Sequence, residues 1–393
     1  MLSLFPISVE FPLTPLREVE GVSMIMLRRI AAMDTARLIV NLTPEDVNKY
    51  ISAGSPFKAT WYAKGIKDEF VGYVHSFRPI SEGYRQRTVI LAIGTAYPMF
   101  NEPGRTYFRS SIDHIVEDIC EDYRFQLEID PHPLVQEQII QQDGSDWSFI
   151  QRLADQWGYV FMVDGVTMIF RLMDNLLKEN YRQAEREQTS SLPTDNSSDL
   201  REFKPSFSAL NKVPYSKSVG SGVDPIQLNR IAWDQPDADD SIFQDVMTAY
   251  PSASEVEGEL LGVGQAARTR FPYSATAQVQ TPIGKKPMDV YQITHEGERM
   301  TWVVQRVKHI ITGDNYLGEM ELGSDGRDYV QGFAQKQLDV EALINMSRSR
   351  SRSQPVIINS RPYYAGIGAS VAVKDQRWVA LSVDGRMGRR SVG

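Results

Sequence analysis

The chain opens in a period-two rhythm. Short β-branched or aromatic runs recur at Arg37-Leu-Ile-Val-Asn-Leu, Phe57-Lys-Ala-Thr-Trp-Tyr, Glu69-Phe-Val-Gly-Tyr-Val-His-Ser-Phe and Arg87-Thr-Val-Ile-Leu-Ala-Ile. Clusters of Gly, Pro, Asp or Ser separate them at intervals of roughly ten to twenty residues, which predicts the strands of a sandwich or barrel. In the third run, Phe70, Gly72, Val74 and Ser76 share one face, and Val71, Tyr73, His75 and Phe77 the other. Both faces are largely apolar, so neither reads as a solvent face.

The period changes at Ser110. Ile112, Ile115, Val116, Ile119 and Tyr123 repeat at i, i+3, i+4, i+7 and i+11, which is one face of an amphipathic helix. Ser110 is the expected N-cap, and Asp113 adds negative charge to the first turn. A short strand follows, in which Phe125, Leu127 and Ile129 alternate with polar neighbours until Pro131 and Pro133 stop it. From Gly144 to Arg171 every local signal agrees. Ser145 caps a helix whose buried stripe is Trp147, Ile150, Ala154 and Trp157, flanked by Phe149 and Leu153. Gly158 sits where a left-handed C-cap is needed. Tyr159 to Val163 is a strand, Asp164-Gly165 a two-residue turn, and Val166 to Phe170 the return strand.

Between about 173 and 199 the chain becomes polar and charged and reads as an exposed connector. Residues 213–226 and 234–256 are rich in Gly, Ser, Pro and Asp and carry no expected element. Alternation returns at Ala275-Thr-Ala-Gln-Val-Gln, Asp289-Val-Tyr-Gln-Ile-Thr and Thr301-Trp-Val-Val-Gln-Arg-Val-Lys-His-Ile-Ile. Gly313-Asp-Asn turns the last of these into a paired strand from Tyr316 to Leu322. A helical patch from Val330 to Asn345 then precedes the run Ser347-Arg-Ser-Arg-Ser-Arg-Ser. Two β blocks, about 30–105 and 270–325, thus bracket an α/β insert.

Composition narrows the function classes. With 393 residues, two or three domains are expected at ~150 residues each. Apolar residues at 42% and charged residues at 23% are ordinary globular usage. The net charge of -8 is unevenly spread: residues 341–393 hold nine Lys/Arg against three Asp/Glu, a net of +6, and the rest holds 33 against 47, a net of -14. An acidic body argues against a body that grips nucleic acid, because phosphate binding uses clustered Lys/Arg. The single cysteine, Cys120, forbids an intrachain disulfide and offers no zinc cluster, which fits assembly in a reducing cytoplasm. The start Met1-Leu-Ser-Leu-Phe-Pro lacks the features of a secretory signal, and no stretch approaches ~18 apolar residues, so no membrane segment is expected.

Candidate chemistry is sparse. Of the five histidines, His295-Glu296 lacks a second His four residues on, and His114 shares only a solvated helix face with Glu117, Asp118 or Glu121. There is no Gly-x-Ser-x-Gly elbow, and Cys120 beside its buried stripe reads as structural. Gly262-Val-Gly264-Gln-Ala-Ala267 lacks the βαβ context of a dinucleotide turn. The chain therefore reads as non-enzymatic, with no catalytic, cofactor-binding or metal residue and no cofactor. Arg348, Arg350 and Arg352 in the Ser347–Ser353 run read as a flexible linker, with polyanion binding as the alternative. Beyond it, Val356-Ile-Ile, Tyr363-Tyr364, Val371-Ala-Val and Trp378-Val-Ala-Leu are either a small appended subdomain or a docking segment that orders on a partner.

The segment from Gly144 to Arg171 resembles the helix-hairpin of phage tail baseplate hub proteins, the late-control tail protein family, which is similar to the hub portion of contractile injection and type VI secretion spikes. The matching residues are Ser145, Asp146, Trp147, Phe149, Arg152, Leu153, Ala154, Trp157, Gly158 and Tyr159. Phe70-Val-Gly-Tyr-Val-His-Ser resembles the first-barrel strand of the family. Trp302 to Ile311 with Tyr316-Leu-Gly-Glu-Met-Glu-Leu resembles its closing strand pair. Departures are the long stretch around 213–260 and the lack of a recognisable spike barrel after residue 330.

The resemblance implies an α+β, mainly β fold: two related β-barrel (tail-tube-like) domains, an α/β insert of helix plus β-hairpin, and an extended C-terminal tail. The corresponding boundaries are 1–105 for the first barrel, 106–172 for the insert, 173–265 for a connector and irregular region, 266–330 for the second barrel strands, and 331–393 for a linker and spike-docking tail. It implies a homotrimer whose six barrels adapt a six-fold tail tube to a three-fold central spike, in a virion baseplate assembled in the host cytoplasm. Its partners would be the tail tube protein, the central spike protein and other baseplate proteins, with DNA passing through a channel without specific binding. Ile357, Ile358, Tyr363, Tyr364 and Trp378 are the expected spike anchors, since large apolar groups dominate such contacts. The alternatives are the spike base of a bacterial contractile injection or secretion system, and a hub with an added cell-wall hydrolase activity. If acidic groups line the channel, the -14 body keeps phosphate contacts weak.

Overall fold

The four alternating runs of the first hundred residues become β3 (Thr35–Val40), β4 (Pro56–Ala63), β5 (Ile66–Glu82) and β6 (Arg85–Gly94), with helix α1 (Pro44–Tyr50) between β3 and β4; two strands that no run announced, β1 (Ile7–Glu10) and β2 (Val19–Arg29), precede them. They are seen in a computed structural model of the chain. The residues it describes are 4–16, 19–82, 85–100, 104–141, 144–187, 191–193, 200–207, 217–223, 230–234, 244–247, 254–268, 270–271, 273–295, 298–325, 370–374 and 377–381. Thr43 caps α1 by accepting the Asp46 backbone N–H at 3.2 Å, and Pro44 fits the first turn, where no donor is needed. β1 pairs with both β4 and β2, so the order β1-β4-β5-β6-β3-β2 closes into a six-stranded barrel. Phe11, Met24, Leu38, Phe57, Trp61 and Ile90 fill it.

The two apolar faces of the third run have a structural cause. β5 pairs with β6 through Val74↔Ala92 and then Ser76↔Leu91, which leaves His75 as a bulge. One extra residue exchanges the faces, so Phe70 and Val74 point into the core before it and Phe77 packs on the same core after it.

The insert comprises β7 (Thr106–Ser111), α2 (Ile112–Tyr123), β8 (Gln126–Ile129), β9 (Val135–Ile140), α3 (Asp146–Trp157), β10 (Tyr159–Asp164) and β11 (Thr167–Leu172). β7 and β9 form a ribbon, and β10-β11-β8 a small sheet. Ser145 accepts the Ser148 N–H at 3.2 Å, and Gly158 ends α3 at φ 75°, both as the sequence predicts. Two details shift by one residue. The N-cap position of α2 is Ser111, not Ser110, because β7 runs through both serines and the helix starts only at Ile112; the Ser111 side chain makes no cap hydrogen bond. The hairpin turn is Gly165-Val166, not Asp164-Gly165, because Asp164 pairs with Thr167.

The stretch read as an exposed connector begins with helix α4 (Met173–Glu187), whose Leu176 and Leu177 are buried against Val160, Met288, Val290 and Val303. At about 2 kcal/mol for each buried leucine, this contact holds a helix whose remaining surface is polar. The irregular region supplies β12 (Ser191–Pro193), β13 (Leu200–Phe207), β14 (Lys217–Val223), β15 (Arg230–Asp234) and β16 (Gln244–Met247), then α5 (Glu255–Arg268). β15-β14-β16 make a separate sheet. The dinucleotide-like glycines lie inside α5. A Cβ at Gly264 would stand 2.1 Å from the Gln156 carbonyl oxygen, so this glycine lets α5 cross the end of α3 at backbone contact.

The predicted second β block is β17 (Tyr273–Gln280), β18 (Val290–His295), β19 (Glu298–Thr312) and β20 (Tyr316–Ser324). With β12 and β13 it makes a six-stranded unit ordered β12-β18-β19-β20-β17-β13, and no pairing closes it among the described residues. Leu200, Ala277, Tyr291, Ile293, Trp302 and Met320 share its interior. Ile283, Ile311 and Tyr316 from this half of the chain enter the first barrel's core. In the tail, β21 (Ser370–Lys374) and β22 (Arg377–Leu381) form a hairpin, while the helical patch expected from Val330 to Asn345 lies outside the described residues.

Candidate functional site

The two β units are one sheet. β5-β6-β3-β2-β19-β20-β17-β13 run antiparallel without interruption, and the seam is the pairing of β2 with β19 from Arg306↔Arg29 to Thr312↔Ser23. Met24 and Met26 point into the barrel, so Ser23, Ile25, Leu27 and Arg29 face outward. Register aligns outward residues into rows across the seam. One row reads Leu91, Arg37, Ile25, Ile310, Leu317, with Leu91 41% and Ile25 36% exposed. The next reads Leu27, Lys308, Glu319, Gln278, and the one beyond it Arg29, Arg306, Glu321, Thr276. Lys308 and Glu319 are 2.8 Å apart, Lys204 and Glu202 of β13 are 2.5 Å apart, and Arg306 pairs with Glu321.

This sheet ends in two open edges. Beyond Ser76, β5 pairs only with β6 among the described residues, and β13 pairs only with β17. Pro79 and Pro205 stand in these two strands. A proline on an edge strand removes a donor and discourages indiscriminate strand addition.

Where barrel, insert and second unit meet, buried charges converge. Arg28 is 4% exposed; it donates to the Glu69 carbonyl at 2.7 Å, approaches Asp68 at 3.4 Å, and lies 3.7 Å from Asp34. Asp68 also accepts the Gly284 backbone N–H at 3.1 Å. Asp164 at the insert's hairpin pairs with Lys286, and Thr95 donates to the Gly165 carbonyl. Burial pushes the Asp34 carboxyl up to about 7, because Arg28 and Lys286 offset the lost hydration only in part. A second buried set includes Tyr316, which accepts from Trp61 Nε1 at 3.3 Å and lies 2.8 Å from His309 Nδ1. Desolvation lowers His309 to about 3, so this imidazole is neutral.

The insert has its own polar core. Arg105, 3% exposed, makes paired bonds of 2.9 and 2.8 Å to Asp146 and also meets Asp122 at 2.9 Å and Asp118 at 3.4 Å. Tyr123 donates to Asp146 at 2.7 Å. The arrangement ties β7, α2 and the first turn of α3 together. His132, packed edge-on to Trp157, is lowered to about 3 by desolvation.

No protein-family model matches the chain, and no curated protein matches its sequence. Solved structures match its fold. The 43 kDa tail protein of prophage MuSo2 from Shewanella oneidensis superposes with a TM-score of 0.55 at 14% identity, over 82% of this chain and 98% of that one. The tail protein from Neisseria meningitidis MC58 gives 0.58 at 11% identity, over 82% and 97%. The E. coli c3393 protein, a component of the type VI secretion system with structural similarity to the T4 bacteriophage tail proteins gp27 and gp5, gives 0.51 at 10%, over 81% and 76%. The chain has a phage tail-protein fold.

Within this tail-protein fold, the expected spike anchors Ile357, Ile358, Tyr363 and Tyr364 lie outside the described residues, and Trp378 pairs with Val373 in the β21–β22 hairpin. Cys120 is buried; desolvation raises its thiol to about 11, an inert state for a structural cysteine. Among the described residues no three His, Cys, Asp or Glu side chains converge as a metal site, and no helix is long and apolar enough to cross a membrane. Sequence reasoning missed the Arg28 junction, because isolated charges far apart in the chain leave no pattern. The cross-strand pairs did leave one: Arg306 and Lys308 stand two apart in one predicted strand, Glu319 and Glu321 in the next, with the Gly313-Asp-Asn turn fixing their register.

Proposed function

We propose that the chain is the structural baseplate hub of a phage tail, a homotrimeric ring that adapts the six-fold tail tube to the three-fold central spike and forms part of the DNA channel. The eight-stranded sheet carries this reading, since it crosses both β units and, among the described residues, ends in two open edges. Each chain supplies two β units, so three chains supply the six positions of a tube-like ring. Twenty-four strands at about 4.8 Å each, tilted by about 40°, give a circumference of about 150 Å and, after about 6 Å of side chain on the wall, an opening of about 36 Å, wide enough for a DNA duplex. Neighbouring chains meet at the β5 and β13 edges, a heterologous contact that closes on itself.

In this reading residues 1–105 and 266–330, with β12 and β13 from the 173–265 stretch, form the ring, and 106–172 is the outer insert. Residues 331–393 hold the spike protein through Ile357, Ile358, Tyr363, Tyr364 and Trp378, and other baseplate proteins bind the periphery. The hub works by geometry, without catalysis, in a virion tail assembled in the host cytoplasm. Mass by light scattering with class averages in an electron microscope tests it. Three-fold rings with a central opening are expected; a two-fold ring overturns the proposal. The spike base of a bacterial contractile secretion system is the second reading, favoured by the likeness to the E. coli secretion component. Flanking genes for a secretion sheath and effectors, in place of phage structural genes, would select it.

A further inference from the structure

The outward face of the second unit holds a shallow concavity of about 260 Å3 with a two-row charge grid. Across β19, β20, β17 and β13 one row reads Lys308, Glu319, Gln278, Glu202, and the other Arg306, Glu321, Thr276, Lys204. Each cation has a carboxylate against it: Glu319 on Lys308 at 2.8 Å, Glu202 on Lys204 at 2.5 Å, and Glu321 on Arg306. Three cations on a concave sheet match the footprint that follows a phosphate backbone, yet no aromatic ring stands among them for a base to stack on. These pairs are half-exposed, and such pairs add little to stability, so their carboxylates are not needed to hold the fold.

We infer that Glu202, Glu319 and Glu321 mask a latent polyanion-binding surface formed by Lys204, Arg306 and Lys308, which keeps this face passive toward nucleic-acid phosphate. Neutrality here comes from strand register, cation against anion, and not from an excess of acid. Its meaning for DNA passage rests on the hub reading, in which this face lines the channel; the masking itself does not.

The test uses the full chain with a fluorescent DNA duplex and, separately, fluorescent heparin, in a background in which R348Q/R350Q/R352Q removes the cations of the basic run in the tail. With its three glutamates native, this protein should leave the anisotropy of both probes unchanged at about 50 mM salt. The variant E202Q/E319Q/E321Q should bind both, and its affinity should fall about 40-fold by about 200 mM salt, from three phosphates at a slope near -0.9 each. The variant E45Q/E128Q/E137Q changes net charge equally on other exposed surfaces and should not bind. Binding with the three glutamates native, absence of binding by E202Q/E319Q/E321Q with its folding intact, or equal binding by both variants overturns the masking. Gained binding in E202Q/E319Q/E321Q together with a two-fold ring of native chains would leave the masking standing and remove the hub.

Discussion

Replacing Asp34 by asparagine should change how stability depends on pH. Asp34 lies beside Arg28 at the junction of the three parts of the chain, with 15% of its side chain exposed. Its carboxyl is raised from 3.8 to about 7, chiefly by burial, with Asp164 adding repulsion and Arg28 and Lys286 opposing. The folded state therefore holds this proton more tightly than the unfolded chain does. Stability from this group is full below the unfolded value, falls as pH rises from about 4 to about 7, and is constant above that. Integrated between about pH 5 and about pH 8, the loss is about 2–3 kcal/mol. The carboxamide of the D34N variant does not titrate and so escapes that loss. Urea unfolding of native protein and D34N across that range isolates the group, because Asp289, also raised by burial, is common to both. The stability of D34N relative to native should rise by about 2–3 kcal/mol from acid to alkaline pH. A difference that stays constant across the range would refute a strained carboxylate at this junction.

Two further outcomes follow from the packing and a third from the proposed hub. R105M should lower stability by about 3–5 kcal/mol in urea unfolding, because it leaves Asp146, Asp118 and Asp122 without their buried cation. G264A should destabilise by about 1–3 kcal/mol despite the better helix propensity of Ala, because the new methyl meets the Gln156 backbone and must push α5 off α3; chemical denaturation reads the sign. In the proposed hub, truncation at Ser347 should leave the ring intact in class averages and abolish co-purification of the spike, and a lost ring would make the tail part of the core.

Local elements were legible wherever a periodicity and a boundary signal coincided. Ser145, the stripe from Trp147 to Trp157 and Gly158 define α3 without reference to the rest of the chain, since capping and amphipathicity act within a few residues. Where signals were one-sided the reading slipped. Ser110 looks like a cap, but β7 runs on through it and α2 starts only at Ile112, and α4 looks like a connector because its apolar side rests mainly on Met288, Val290 and Val303, more than a hundred positions away. The β14–β16 sheet had weak alternation and many turn-forming residues, so propensity alone could not define its strands.

The sequence by itself determined β3 to β6, β17 to β20, the helix-hairpin insert and the pairing of β19 with β20 about one short turn. Each rests on neighbours close in the chain, whose geometry period and turn chemistry dictate. Only the tertiary structure decided that the two β blocks are a single sheet. Ile25 meets Ile310 across the seam, and nothing in either strand names the other, because register between distant strands is set by the packing of both faces. The same holds for Arg28, Asp34 and Asp68, which are ordinary charges apart and acquire electrostatic meaning only when folding buries them together, beside the more exposed Asp164–Lys286 pair.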